Sequence, residues 1–185
     1  KLSKLIDKEI NLRDIEEIDS PDVTSPRPLP ERLLEKIEFK EQEPRFPFPE
    51  ERSIQKDAYK AWLNNNKQGI FAMATGSGKT VTALNCLLKE YQQTGIYKAI
   101  IVVPTKALAL QWENEVKNFN FQNVLSTQTD KDWKSDLSRY TTKCILNKKK
   151  SLVLITTYAT FTRKYVQEFV INTKGINEFV FIADE

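Results

Sequence analysis

Six consecutive residues, Thr75-Gly76-Ser77-Gly78-Lys79-Thr80, combine the residue types that an anion cup requires. Gly76 and Gly78 lack Cβ, so the backbone can wrap closely around a phosphate with successive N–H groups turned inward. A helix starting at Lys79 adds the favourable field of its N-terminus. Lys79 then reaches the β- and γ-phosphates of a nucleotide as a point charge, and Thr80 offers a hydroxyl to Mg²⁺. The generic pattern also asks for a glycine six residues before the lysine, where this chain has Met73. Two further groups stand at strand ends, where ligands bind in open α/β sheets. Thr105 and Lys106 follow the apolar run Ala99–Val103, and Asp184 and Glu185 follow Val180–Ala183.

Composition narrows the chemistry around these residues. The 185 residues contain no histidine, which excludes a Ser-His-Asp triad, a Cys-His dyad and any zinc site with imidazole ligands. Two cysteines, Cys86 and Cys144, are too few for a disulfide framework or a four-thiolate metal site, and two thiols fit a reducing, cytoplasmic setting. No apolar run is long enough for a membrane span. The net charge of +3 does not diagnose nucleic-acid binding, so the local distribution has to be read. Residues 128–150, with Lys148-Lys149-Lys150 at their end, hold seven basic and three acidic side chains and are a candidate for contact with a polyanion.

The elements that must position these groups follow from periodicity. Seven of the eight prolines lie between Pro21 and Pro49, which makes residues 1–45 an N-terminal arm and linker, or the tail of an upstream domain. From residue 51 onward helix and strand signals alternate, within a domain placed at residues 46–185. Ile54, Ala58, Ala61 and Trp62 predict a helix over 52–63, and Gly69–Ala74 a short buried strand. Leu84, Leu87, Leu88 and Tyr91 predict a helix over 79–93, closed by Gly95. Ala99–Val103 and Ser151–Ile155 read as buried strands, with Leu108, Trp112 and Val116 on a helix over 105–118. Trp112 reads as a core residue. Residues 121–127 read as another strand, 128–150 as polar and irregular with weak helix signals near Trp133, 158–171 as one helix with Phe161, Tyr165 and Phe169 inward, and Phe179–Ala183 as a last strand. Buried strands alternating with helices predict an α/β fold with a mostly parallel sheet covered on both faces.

In this setting the residues resemble a family. Met73 to Thr80 is similar to motif I of superfamily 2 DEAD/DEAH-like helicases and translocases, in which small or apolar residues replace the first glycine. Arg52-Ser53-Ile54-Gln55, 24 residues before Lys79 at its glutamine, resembles the motif that reads adenine; an amide suits that base, which offers a donor and an acceptor side by side. Phe46 and Phe48 are placed to stack on the base or to pack in the core. The stretch from Val103 through Pro104, Thr105 and Lys106 to Gln111-Trp112 resembles motif Ia, Thr156-Thr157-Tyr158 motif Ic, and Ile182 to Glu185 the start of motif II. The wording is closest to the type III restriction enzyme helicase subunit branch. The resemblance implies a RecA-like P-loop lobe that binds ATP with Mg²⁺. It implies Arg52, Gln55, Thr75, Gly76, Ser77, Gly78, Lys79 and Thr80 as nucleotide-binding residues. Lys79, Asp184 and Glu185 would be catalytic, with Asp184 and Thr80 holding the metal and Glu185 orienting and deprotonating the attacking water. Thr105, Lys106, Thr156 and Thr157 would contact nucleic acid, DNA rather than RNA.

The resemblance breaks off within motif II. It therefore implies an N-terminal fragment of an ATP-dependent helicase or translocase, part of a restriction or phage-defence system. Such a fragment would lack the second RecA-like lobe and its arginine finger, bind nucleotide without unwinding, and partner nuclease or methyltransferase subunits. The alternative is a non-catalytic nucleotide-binding or docking module; a small-molecule kinase is disfavoured by the glutamine motif and motif Ia. In the resembled fold a motif III strand lies between the motif I and motif II strands. Without it, residues 178–185 are expected to pack irregularly, or to pair with a neighbouring molecule or with further chain, rather than beside residues 69–74.

Overall fold

The structure, a computed structural model, describes residues 43–74, 76–146 and 151–185. They lie in one compact unit, Glu41–Glu185. Its elements in chain order are helix α1 (Ser53–Asn64), helix α2 (Lys79–Thr94), strand β1 (Lys98–Val103), helix α3 (Lys106–Asn118) and strand β2 (Val124–Ser126). There follow helix α4 (Trp133–Ile145), strand β3 (Leu152–Thr157), helices α5 (Tyr158–Phe161) and α6 (Lys164–Asn172), a 3₁₀ turn (Ile176–Glu178) and strand β4 (Val180–Ala183). The arm expected over residues 1–45 falls outside the described residues except for its last three. Those join the lobe: the Arg45 N–H donates to the Phe119 carbonyl at 2.9 Å, and the Asn120 side-chain amide donates to the Glu43 carbonyl at 3.1 Å.

The four strands form one all-parallel sheet in the order β2-β3-β1-β4. β1 and β3 are buried along their whole length because apolar residues face outward on both sides of the sheet. Ala99, Ile101, Val103, Val153 and Ile155 point to one face and meet Leu84, Leu87 and Leu88 of α2 with Ala109, Trp112 and Val116 of α3. Ile100, Val102, Leu152 and Leu154 point to the other and meet Trp133, Leu137 and Tyr140 of α4 with Val166 and Phe169 of α6. Cys86 and Cys144 are both buried free thiols, and burial pushes the Cys86 thiol up to about 12, so it stays protonated and unreactive at neutral pH.

Six expectations change. Residues 69–74 form no strand: Ile70 is 93% exposed, and the Met73 N–H turns back to the Phe71 carbonyl at 2.8 Å. An apolar run becomes a strand only beside a partner, and none of the described strands adjoins it. Residues 180–183 are regular rather than irregular, pairing from Ala99↔Val180 to Val102↔Ala183, but β4 is an edge strand with Phe181 55% exposed, not a buried one. Between β4 and the segment after α1 lies a groove of about 780 Å³ lined by Trp62, Gln68, Gly69, Leu87, Phe179 and Val180 among others. The inward face of α1 is Gln55, Ala58, Tyr59 and Trp62, a register that leaves Ile54 and Ala61 exposed. Residues 133–145 are a regular helix, with Trp133, Leu137, Tyr140 and Cys144 buried at helical spacing. The helix expected over 158–171 is two, because Arg163 between them adopts extended backbone, with ψ at 147°. Tyr165, expected inward, is exposed; it holds the Lys134 ammonium 4.5 Å from its ring centre.

Leu154→Ala in the sheet centre should lower the unfolding free energy in urea by about 2–5 kcal/mol. Ile70→Ser should change it by less than about 0.5 kcal/mol. Comparable losses from both would place the 69–74 segment in the core.

Candidate functional site

The glycine loop has the backbone its sequence demands. Gly76 and Gly78 both sit at positive φ, 77° and 92°, a region that L-residues with a Cβ rarely enter. The Ser77 N–H and hydroxyl both donate to the Ala74 carbonyl, at 3.2 and 2.6 Å, which closes the turn. Gly78 caps α2, and its carbonyl accepts from the Thr82 N–H at 2.8 Å and the Thr82 hydroxyl at 2.9 Å. Lys79 and Thr80 are the first two residues of that helix, where backbone N–H groups have no intrahelical acceptor. The Lys79 ammonium folds back and donates to the Met73 carbonyl at 2.9 Å. Thr75 lies outside the described residues.

Gln55 joins α1 to this loop. Its side chain is only 4% exposed, and its Oε1 accepts the N–H of Arg52, the cap residue of the helix, at 3.0 Å. Its Nε2 lies 3.2 Å from where a Cβ on Gly78 would stand. Gln55 is therefore a buried strut against the loop, while the Arg52 side chain is exposed. Of the two upstream aromatics, Phe46 packs edge-on against Phe119, with ring centres 5.7 Å apart, and Phe48 is exposed.

The sheet gathers the other candidates at its carboxyl end. Val103 pairs with Thr157, and Val102 pairs with Thr156 on one side and Ala183 on the other. The residues leaving β1, β3 and β4 thus emerge along one rim. Thr105 caps α3, its hydroxyl accepting the Leu108 N–H at 3.2 Å, and both Thr105 and Lys106 are exposed. Thr156 and Thr157, expected to contact nucleic acid, are buried. The Thr127 hydroxyl donates to the Thr156 hydroxyl at 3.0 Å, and the Thr157 hydroxyl donates to Thr160 at 3.2 Å while capping α5. Their polar atoms are occupied inside the lobe because a threonine at a buried strand end must find a partner there. Lys148-Lys149-Lys150 lie outside the described residues.

Asp184 is held at three atoms. Its N–H donates to the Val102 carbonyl at 3.0 Å, its own carbonyl accepts from the Tyr158 hydroxyl at 2.8 Å, and its Oδ2 accepts the Trp112 indole N–H at 2.8 Å. Glu185 is exposed beside it. Neither Trp112 nor Tyr158 was singled out from the sequence for this site. Trp112 is 2% exposed and does pack in the core, but its one polar atom is spent on an acid 72 residues away. An indole needs a hydrogen-bond partner when buried, and that was the available signal.

Residues 48–185 match the family model described as type III restriction enzyme, res subunit. The chain belongs to this family. The fold is accordingly the RecA-like α/β lobe that the motifs implied. Among curated relatives of this res-subunit member, the DNA 3'-5' translocase XPB2 of Sulfurisphaera tokodaii is 38% identical over 80 residues, covering 40% of this chain and 17% of the relative. The mitochondrial ATP-dependent RNA helicase MSS116 of Saccharomyces cerevisiae is 34% identical over 113 residues, covering 58% and 17%. The putative helicase 109L of Invertebrate iridescent virus 3 is 36% identical over 70 residues, covering 38% and 20%. The matched part of the chain spans a fifth or less of each relative's length.

Gly78→Ala should cost about 1–2 kcal/mol in urea unfolding from the left-handed backbone. It should also couple to Gln55→Ala by about 0.5 kcal/mol or more in a double-mutant cycle. Gly76→Ala, with open space at its Cβ position, should show no such coupling to Gln55. Strict additivity in both cycles would mean that the amide does not brace the loop.

Proposed function

We propose that this chain is the ATP-binding lobe of an ATP-dependent DNA translocase or helicase belonging to a restriction or phage-defence system. The observation that carries the reading is the common rim: one parallel register brings Thr105 and Lys106, Thr157 and Tyr158, and Asp184 and Glu185 to the same end of the sheet. The family match and the translocase and helicase relatives support it.

In this reading the loop from Gly76 to Gly78 receives the phosphates on its backbone N–H groups. The Lys79 ammonium leaves the Met73 carbonyl for the β- and γ-oxygens, exchanging a neutral acceptor for a charged one, which makes the stronger hydrogen bond. Gln55 and Arg52 flank the base side of the loop. Glu185 orients the attacking water and takes its proton. Phosphoryl transfer asks the protein chiefly for positioning and charge, so these few groups suffice for their half of the site.

The residues present also fit Mg²⁺. Among the described residues no cluster of three His, Cys, Asp or Glu could cage a metal. Mg²⁺ does not need one, because it keeps several waters and binds through one or two carboxylates plus substrate phosphates. Asp184 and the Thr80 hydroxyl would supply the protein's share. When bound, the ion neutralises charge developing on the phosphate oxygens.

The nucleic-acid track in this reading runs over Thr105 and Lys106, with Thr156 and Thr157 shaping the rim from beneath. DNA is preferred over RNA on the motif Ia wording and the DNA translocase relative. A second RecA-like lobe, and nuclease or methyltransferase subunits, complete the proposed machine, which acts in the cytoplasm. No helix among the described residues is long and apolar enough to cross a membrane.

ATP hydrolysis by the protein should be stimulated by DNA, and Lys79→Ala should reduce the stimulated kcat by on the order of 10²–10³. Lys106→Ala should make DNA affinity less salt-dependent, lowering the slope of log K against log salt by about 0.9. An ATPase indifferent to every nucleic acid offered would overturn the motor reading.

A further inference from the structure

The three-atom clamp on Asp184 points beyond that reading while resting on it. We infer that Trp112 and Tyr158 are positioning residues that set the orientation of the Asp184 carboxylate and tie it to the nucleic-acid rim.

The indole N–H takes Oδ2 of Asp184 at 2.8 Å, which leaves Oδ1 as the oxygen to face a hydrated cation. A neutral donor fixes the carboxylate without cancelling its charge, unlike an arginine or lysine in the same place. Trp112 has no freedom to move independently of the helix that carries it. It is 2% exposed and wedged in the core formed by α2, α3, β1 and β3. Tyr158 fixes the backbone of the same residue from the other side, and the Val102 carbonyl fixes its height along the sheet. Without these contacts Asp184, one residue beyond the end of an edge strand, would have a loose backbone and a freely rotating carboxylate.

The placement of the two donors supplies the link. Trp112 lies on α3, which begins at Lys106; six residues of helix separate them, about 9 Å along one rigid element. Tyr158 is the first residue of α5, directly after the capping Thr157. Both segments that the proposed function gives to the nucleic-acid track thus end in a hydrogen bond to the same acid. A shift of α3 caused by a phosphate at Lys106 moves the indole, and the indole turns the carboxylate.

The test is Mg²⁺ dependence, measured on the protein with ATP and DNA. Trp112→Phe keeps the ring's packing and removes the N–H. It should raise the Mg²⁺ concentration for half-maximal hydrolysis about tenfold or more, the usual scale for losing a group that orients a metal-binding side chain. Excess Mg²⁺ should restore most of the rate, a rescue that general damage to the core would not show. Tyr158→Phe, at a partly exposed site, should shift the same titration in the same direction by a smaller factor and reduce the stimulation by DNA. In the wild-type protein the Trp112 indole N–H resonance should move when Mg²⁺ is added with a non-hydrolysable ATP analogue, and stay in place with the analogue in EDTA. This arm needs no variant to fold. If the wild-type enzyme hydrolyses ATP with DNA stimulation while both variants keep its Mg²⁺ titration, or while the indole resonance ignores the metal, the clamp is only structural and the inference falls. If the wild-type protein shows no Mg²⁺-dependent hydrolysis, the proposed function fails with it.

Discussion

The parallel pairing of β1 with a strand on each side is the constraint on which the rest depends. β1 is the only described strand that touches both β3 and β4, and its register sets where each neighbour ends. A one-residue slip would exchange the two faces of every side chain and break both cores at once. Because the faces are so different in their partners, α2 and α3 on one and α4 and α6 on the other, the register is held by the burial of some of the largest apolar side chains in the lobe. The ends of three strands are thereby brought to one rim, and the chemistry-bearing residues stand just past those ends.

Much of this was legible in the sequence because burial on both faces leaves a simple trace. Ala99–Val103 and Leu152–Ile155 are unbroken apolar runs, and α2 shows its buried leucines at helical spacing before a closing glycine. The glycine loop was equally plain, since few local conformations require two glycines and a lysine in that order. The family reading, made on five short motifs, agrees with the match over residues 48–185.

What was not legible has physical reasons that differ from case to case. The run Gly69–Ala74 has the composition of a strand, but strand formation depends on a neighbour, and its own residues do not record whether one is present. The α4 helix was hidden by its polar residues, although Trp133, Leu137, Tyr140 and Cys144 mark a continuous stripe. In α1 the buried face includes a glutamine, so counting only apolar residues placed the stripe one position off. Thr156 and Thr157 look like surface residues by type, and only the network with Thr127 and Thr160 shows that their hydroxyls are used internally. Trp112 is the most instructive. Its apolar body obeys the core pattern, and the pattern says nothing about where the single N–H is aimed.

The central claim is that the loop around Ser77 delivers a nucleotide's phosphates to the acids at the end of β4. A crystal structure with Mg²⁺ and a non-hydrolysable ATP analogue measures this directly. The account predicts Lys79 released from the Met73 carbonyl onto the β- and γ-phosphates, with one hydrated ion between Thr80 and Asp184. Phosphates bound away from the loop, or a Lys79 ammonium more than about 10 Å from the carboxyl groups of both Asp184 and Glu185, would contradict it, since a single hydrated ion could not span that gap.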